Sequence, residues 1–265
     1  MSKLSLAGLY RDPVKSLAGQ VQQAMSVGPR GPELDRHWML VDAQGRFLTQ
    51  RQLPQMALIA TRFVDGGVLR LQAPGMPDLA VGAPAGDRLD VHVWRDSLTA
   101  VRVGDVADRW LSDFLGVHCH LVELPEDVRR PVDPDFAMPD DQVGLADGFP
   151  FLLISQASLD DLNHRLQTPL SMLRFRPNLV VSGCRPHAED DWQHIRIGDI
   201  GFRVAKPCSR CIIPTIDPDT GERGREPMQT LLTYRRRDNK VYFGQNLIHD
   251  GVGRLQLGMP VEVLE

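Results

Sequence analysis

Residues 206–221 read Lys-Pro-Cys-Ser-Arg-Cys-Ile-Ile-Pro-Thr-Ile-Asp-Pro-Asp-Thr-Gly and include two of the four cysteines, Cys208 and Cys211. An alternating apolar segment just before them is typical of a strand. The three prolines of the stretch disfavour a helix, so the sequence predicts a stiff loop after a strand. Lys206 and Arg210 lie beside the thiols, and nearby cations favour the thiolate, which is the form that binds metals or attacks.

Three kinds of site use a Cys-x-x-Cys pair. A structural zinc site commonly takes four ligands from two such pairs, whereas Cys119 and Cys184 stand alone and far apart. A thioredoxin-type dithiol lies at the start of a helix, which Pro214 and Pro218 disfavour. The third possibility is a single thiolate that binds the metal of a cofactor. Spacing alone does not decide among the three.

Composition excludes several classes of function. The chain has 265 residues, of which 42% are hydrophobic and 24% charged, as in soluble proteins with one large domain or two ordinary ones. The net charge of −4 gives no support for general nucleic-acid binding, which requires a basic face. The cysteines form no disulfide-like framework, which suits a cytoplasmic location. No signal peptide and no run of about eighteen apolar residues is present, so we expect no membrane partner.

Periodicity predicts the fold class. From residue 68 onward, alternating segments separated by Gly and Pro indicate strands that pair with one another. A change of period over residues 105–116 predicts a helix that Gly116 ends. Ser158 and Asp161 are spaced as a capping box, which predicts the start of another helix. The chain is therefore expected to be mainly β with a few helices, in the α+β class.

A linker is predicted over residues 125–141. Four prolines recur there among acidic residues, a composition that interrupts regular structure. The predicted domains are residues 1–124 before the linker and residues 142–265 after it.

Several motifs, in order along nearly the whole chain, resemble one family. Cys208-Ser-Arg-Cys211, followed by Asp217-Pro-Asp-Thr-Gly221, is similar to the core motif of the MOSC domain, the molybdenum-cofactor module of molybdenum-cofactor sulfurases. The resemblance is strongest to the amidoxime-reducing group, which comprises the mitochondrial amidoxime-reducing component and its bacterial relatives. The other segments that carry it are Pro13-Val-Lys-Ser16, Asp35-Arg-His-Trp-Met-Leu-Val-Asp42, Leu48-Thr-Gln-Arg51, Phe175-Arg-Pro-Asn-Leu-Val-Val181 and Glu189-Asp-Asp-Trp192.

This resemblance implies an N-terminal β-barrel domain and a MOSC β-barrel domain with the molybdenum cofactor in a cleft between them. It implies that Cys211 is the metal ligand and a catalytic residue, with Cys208 as its neighbour, and that Asp147 lies near the metal and relays protons. From the residues alone, Lys15 could equally be a solvated lysine and Arg36 could form a surface ion pair. The cofactor-binding residues that the resemblance implies are Lys15, Ser16, Arg36, Arg176, Asn178, Ser209 and Arg210, with Arg51 as a weaker candidate.

The implied reaction is reduction of the N–O bond in amidoximes, hydroxylamines or N-hydroxylated bases. No cysteine run for an iron–sulfur cluster is present, so electrons are expected from a separate ferredoxin- or flavin-type protein. The basic run 235–237 is either a solvated end or a docking patch for an acidic donor. The alternative function is a non-catalytic module that binds molybdenum cofactor or a sulfur carrier.

Overall fold

The computed structural model describes residues 3–264, and this part of the chain contains nineteen strands and three α-helices. The first eleven strands are β1 (Ser5–Arg11), β2 (Gln20–Gln22), β3 (Ala24–Gly28), β4 (Gly31–Pro32), β5 (Trp38–Val41), β6 (Ala60–Val64), β7 (Val68–Gln72), β8 (Leu79–Ala80), β9 (Arg88–Val93), β10 (Asp96–Arg102) and β11 (His120–Glu123). The other strands are β12 (Phe151–Ser155), β13 (Leu179–Ser182), β14 (His194–Ile197), β15 (Ile200–Ser209), β16 (Arg236–Arg237), β17 (Lys240–His249), β18 (Gly253–Gln256) and β19 (Val261–Val263).

The helices are α1 (Asp105–Leu115), α2 (Gln156–Arg165) and α3 (Met228–Tyr234). Short 3-10 helices span Pro54–Leu58, Asp65–Gly67, Met172–Phe175, Ala188–Asp191 and Ile213–Thr215. The predicted fold class, mainly β with a few helices, is confirmed. Within residues 3–264 no helix has the length and apolar character needed to cross a membrane.

The largest sheet closes on itself. Its strands follow the order β19-β14-β15-β17-β12-β13-β1-β2, and the β12–β13 pair is parallel. The seam forms where Ser5 of β1 bridges Pro260, next to β19. Beside it, the Leu6 amide donates to the Met259 carbonyl at 2.9 Å. The result is a closed barrel whose interior is filled by apolar side chains from both ends of the sequence.

The N-terminal half has a separate core between two smaller sheets. One has the strand order β5-β11-β10-β9 and the other β6-β7-β8. Leu40 and Leu121 from the first sheet meet Leu69 and Leu71 from the second, and Leu111 of α1 packs onto them. These alternating strands therefore bury one shared core, as their period predicts.

The two helix predictions have different outcomes. Helix α1 ends at Gly116, whose φ of 67° is the left-handed conformation that glycine favours, so that prediction is confirmed. The predicted cap of α2 is wrong. Ser155 is the N-cap, and its Oγ accepts from the Ser158 amide at 3.1 Å. Asp161 instead bonds Arg165 one turn later along the helix.

Strand β15 extends further than the sequence predicts. It continues through Pro207, which has no amide proton for the ladder. The pairing of β15 with β17 is irregular on both sides of this proline, so the strand accommodates it with bulges. The predicted loop therefore begins only after Ser209. No α-helix follows directly, since a one-turn 3-10 helix comes next, as the prolines predicted.

Candidate functional site

A cleft of about 890 Å³ lies between the two halves and is lined by residues from both. All nine residues that the motifs singled out line it, although they come from distant parts of the sequence. These residues are Lys15, Ser16, Arg36, Asp147, Arg176, Asn178, Ser209, Arg210 and Cys211.

The cleft carries an excess of positive charge. Its lining includes eight lysine or arginine residues and three aspartates, although the whole chain has a net charge of −4. A concave surface with charges of one sign attracts ligands of the other sign. The cations are Lys15, Arg36, Arg51, Arg95, Arg130, Arg176, Lys206 and Arg210, and the acids are Asp96, Asp133 and Asp147.

Each thiol of the motif contacts one guanidinium. The Nη2 of Arg51 donates to the Sγ of Cys211 at 3.4 Å. The Nη1 of Arg210 donates to the Sγ of Cys208 at 3.2 Å, and its Nη2 donates to the Phe175 carbonyl at 2.7 Å. Cys208 is the penultimate residue of β15, whereas Cys211 lies in the loop that follows. The two thiols therefore have separate partners.

Asp147 and Lys15 form an ion pair in the cleft wall. The Nζ of Lys15 lies 2.5 Å from Oδ1 of Asp147 and also donates to the Leu145 carbonyl at 2.9 Å. Burial lowers the pKa of Lys15 to about 8, although the Asp147 carboxylate opposes this shift. The Asp147 side chain is 57% exposed because it faces the open cleft. The protein around it disfavours ionisation, but the charge of Lys15 holds the pKa of Asp147 well below its ordinary value.

A buried ion cluster joins the two halves behind the cleft. Arg36 lies 2.5 Å from a carboxylate oxygen of Asp12 and 2.5 Å from one of Asp35. Arg176 lies 3.0 Å from Asp12 and donates to the Leu17 carbonyl at 2.6 Å. Burial opposes the charge of Arg36, yet the two carboxylates raise its pKa above the ordinary arginine value. Arg36 is therefore held as a permanent cation.

One donor of this cluster is paired by charge and not by a hydrogen bond. The Nη2 of Arg176 is buried and lies 3.0 Å from Oδ1 of Asp12, but among the described residues it has no partner with hydrogen-bond geometry. A buried donor without an acceptor costs free energy, so an oxygen atom of a ligand would be stabilised there. Arg176 lines the cleft, so its guanidinium adds to the positive charge that an anionic ligand meets there.

Backbone strain concentrates at the cleft. Eight non-glycine residues of the described chain have positive φ, and four of them line this cleft. They are Ser16 at 69°, Arg36 at 43°, Trp94 at 57° and Arg176 at 55°. Such conformations cost free energy and persist where the surroundings enforce them, commonly at functional sites.

Asn178 already has partners in the protein. Its Oδ1 accepts from the Leu152 amide at 3.2 Å, and its Nδ2 donates to the Tyr10 carbonyl at 3.4 Å. The residue is 2% exposed, so its amide tethers β12 to the end of β1. Its contact with a cofactor stays a prediction, as does that of the exposed Ser209.

The cleft residues that were not singled out from the sequence include Trp94, Arg95 and Arg130. Arg130 lies in the predicted linker but is only 2% exposed, and it donates to the carbonyls of Gly144 and Ala146 at 2.7 and 2.5 Å. Nothing local in a proline-rich stretch signals such burial. Trp94 and Arg95 did leave a signal, because they replace the usual glycine or asparagine between two alternating strands.

Comparison with known proteins agrees with this arrangement. Residues 3–118 match the MOSC N-terminal beta barrel domain, and residues 140–262 match the MOSC domain. Human mitochondrial amidoxime-reducing component 1 is 35% identical over 280 residues, covering 98% of this chain and 83% of the relative. The chain belongs to the amidoxime-reducing component family.

Other members of the amidoxime-reducing component family show the same extent of similarity. The zebrafish (Danio rerio) mitochondrial amidoxime-reducing component 1 is 35% identical and covers 93% of this chain and 80% of the relative. Among solved structures, the YUAD protein from Bacillus subtilis covers 98% of this chain and 95% of its own, at 11% identity and a TM-score of 0.46. The two amidoxime-reducing components cover 98% and 93% of this chain, so their similarity to it includes both domains.

Proposed function

We propose that this chain is a molybdenum-cofactor-binding oxidoreductase that reduces N-hydroxylated substrates. Its relatives are named amidoxime-reducing components, and the chain aligns with them over nearly its whole length. The observation that carries the proposal is the position of Cys211, a thiol in a strongly cationic cleft between two domains of this family. Electron supply by a separate ferredoxin- or flavin-type protein, and a cytoplasmic location, stay predictions.

The residues of the cleft fit this cofactor. Within residues 3–264 no three His, Cys, Asp or Glu side chains converge on a point that could hold a metal ion. A metal at Cys211 would therefore need further ligands from outside the protein, which a pterin dithiolene provides, and a soft thiolate suits such a metal. The excess of cations in the cleft, Arg176 among them, fits the negative charge of a pterin phosphate. The residues that would hold it are Lys15, Ser16, Arg36, Arg176, Asn178, Ser209 and Arg210.

When bound, the cofactor supplies the two-electron chemistry. The N–O bond of the substrate breaks, and two electrons and two protons convert the N–OH group to N–H and water. The chain's own residues supply and guide the protons. Asp147 is ionised at neutral pH because its pKa is low, so it cannot be the first proton donor. Lys15, with a pKa of about 8, holds a proton at Nζ and is the member of the pair that can donate one, while the Asp147 carboxylate orients it across their hydrogen bond.

The two cysteines give the decisive test. Cys211→Ser replaces the proposed metal ligand with a hard hydroxyl, so reduction of benzamidoxime with an artificial reductant should disappear. Cys208→Ser is the matched control, since its thiol contacts Arg210 and not Arg51, and substantial activity should survive. Both variants should remain folded, which circular dichroism checks.

Metal analysis and pterin fluorescence complete this experiment. Protein from a cofactor-competent host should contain about one molybdenum and one pterin per chain, as a single thiolate ligand requires. Stoichiometric zinc without molybdenum would contradict the proposal. Loaded protein that fails to reduce any N-hydroxylated compound would favour the alternative of a non-catalytic binding module.

A further inference from the structure

The turn between β9 and β10 has an unusual residue. Val93 pairs with Asp96, so Trp94 and Arg95 alone make the turn. Trp94 has a φ of 57°, a left-handed conformation that glycine adopts freely and a bulky residue does not. Its side chain is also 52% exposed. An aromatic residue that is both strained and exposed contributes little to the core, so its position suggests a role in binding.

Trp94 is part of an aromatic surface beside the thiol of Cys211. Trp94 and Arg95 line both the cleft and a second cavity of about 570 Å³. The guanidinium of Arg51 lies 4.8 Å from the centre of the indole, and the Phe47 ring lies 5.2 Å away at a tilt of 58°. Arg51 also contacts the Sγ of Cys211. One guanidinium therefore separates the indole from the proposed metal ligand.

Arg95 has charge available for a ligand. It is exposed, and within residues 3–264 it forms no hydrogen bond or ion pair. The other arginines near this turn are occupied, since Arg46 bonds Asp42 and Arg130 bonds Asp96. An unpaired guanidinium beside an exposed aromatic ring can hold a planar ligand that also carries an anionic group.

We propose that Trp94 and Arg95 form a substrate subsite that favours planar aromatic N-hydroxylated compounds bearing a carboxylate or phosphate. The ring of the substrate stacks on the exposed indole, and its anionic group pairs with Arg95. The N-hydroxyl end then extends past Arg51 toward Cys211. This inference rests on the function proposed above and adds the class of substrate that this chain prefers.

The test compares three substrates: 4-carboxybenzamidoxime, benzamidoxime and acetamidoxime. Trp94→Gly removes the indole and suits the left-handed turn, so the hairpin should stay folded. Its ratio of kcat/KM for benzamidoxime over acetamidoxime should fall about fivefold. Arg95→Gln should lower the ratio for the carboxylated over the neutral aromatic substrate by about twofold to fivefold, the size expected of an exposed ion pair.

Arg109→Gln is the matched control, because Arg109 is an exposed arginine of α1 that does not line the cleft. It should leave both ratios unchanged. Binding of 4-carboxybenzamidoxime without reductant, measured by calorimetry, gives a readout that is independent of turnover. Affinity should fall in both the Trp94 and the Arg95 variants.

The outcomes separate this inference from the proposed function. If the protein reduces all three substrates and neither variant changes its ratio, the subsite is overturned and the proposed function stands. If nothing is reduced but the two variants lose affinity for the carboxylated compound, the subsite is supported and the proposed function fails. Equal affinity in the unmodified protein and both variants overturns the subsite.

Discussion

Two sets of cations line the same cleft and differ in their partners. Six of the eight cleft cations pair with a carboxylate, and three of these paired cations, Lys15, Arg36 and Arg176, are buried or nearly so. The unpaired cations, Arg95 and Arg210, have no carboxylate partner among residues 3–264. Both sets add to the positive charge of the cleft, but only the second holds charge that no protein anion neutralises.

This difference in carboxylate partners indicates that the two sets of cations have different roles. Arg36 of the N-terminal half donates to the carbonyl of Arg176 at 3.1 Å, and Arg176 donates to the carbonyl of Leu17 at 2.6 Å. The paired cations thus connect the two halves and shape the cleft. An anionic ligand must approach them alongside their carboxylates, whereas it meets the unpaired cations directly. Three substitutions test this division.

Of the three substitutions, Arg36→Ala should lower the free energy of unfolding the most. It leaves the buried carboxylates of Asp12 and Asp35 without their main counter-charge. Removing one member of a buried ion cluster costs about 3–5 kcal/mol, so the free energy of unfolding should fall by that amount in urea titrations. A loss below about 1 kcal/mol, similar to an ordinary surface substitution, would show that the cluster does not hold the halves together.

Lys15 should make the free energy of unfolding depend on pH, with an effect of intermediate size among the three substitutions. Its pKa is about 8 in the folded protein and an ordinary 10.5 when unfolded. Between these values the unfolded chain binds more protons, so stability should rise with pH across this window. This difference in the pKa of Lys15 corresponds to a gain in folding stability on the order of 3 kcal/mol.

The variant Lys15→Met isolates the contribution of Lys15 to the pH dependence of stability, because all other groups titrate in both the variant and the unmodified protein. Urea unfolding at about pH 7.5 and pH 10 should show a rise in the unmodified protein that exceeds that in the variant. Parallel changes in the two proteins would contradict the lowered pKa of Lys15.

Arg95→Ala should have the smallest effect on folding. The side chain is exposed and has no partner in the described chain, so the free energy of unfolding should change by less than about 0.5 kcal/mol. Thermal unfolding would check this, with Arg109→Ala as a control of the same chemistry. A large loss would mean that Arg95 is a structural residue and belongs with the paired cations.

The sequence predicted features that depend on short stretches of chain. Alternation indicated the strands, and Gly116 ended α1 where the period changed. The motif around Cys208 and Cys211 led to residues that all line one cleft. Local patterns sufficed because each of these features depends on neighbouring residues or on a short motif that resembles that of a known family.

Features set by long-range packing could not be predicted. Asp12 and Asp35 look like ordinary surface aspartates, and only the folded chain places them against Arg36 and Arg176. Pro207 has no amide proton and would be expected to end a strand, yet β15 pairs with the long strand β17 on both sides of it. Arg130 lies in a stretch that reads as a linker, and its burial depends on carbonyl groups that are presented by a later loop.

The seam of the barrel also has a consequence for synthesis. Strand β1 can pair with β2 soon after both leave the ribosome, but its other partners, β13 and the segment at Pro260, come from much later parts of the sequence. During translation β1 therefore has exposed backbone groups that can pair with other chains. The barrel can close only when residues near Pro260 have emerged, and pairing of such distant segments is slow. A nascent chain of this protein should depend on holdase chaperones until its last strand is free.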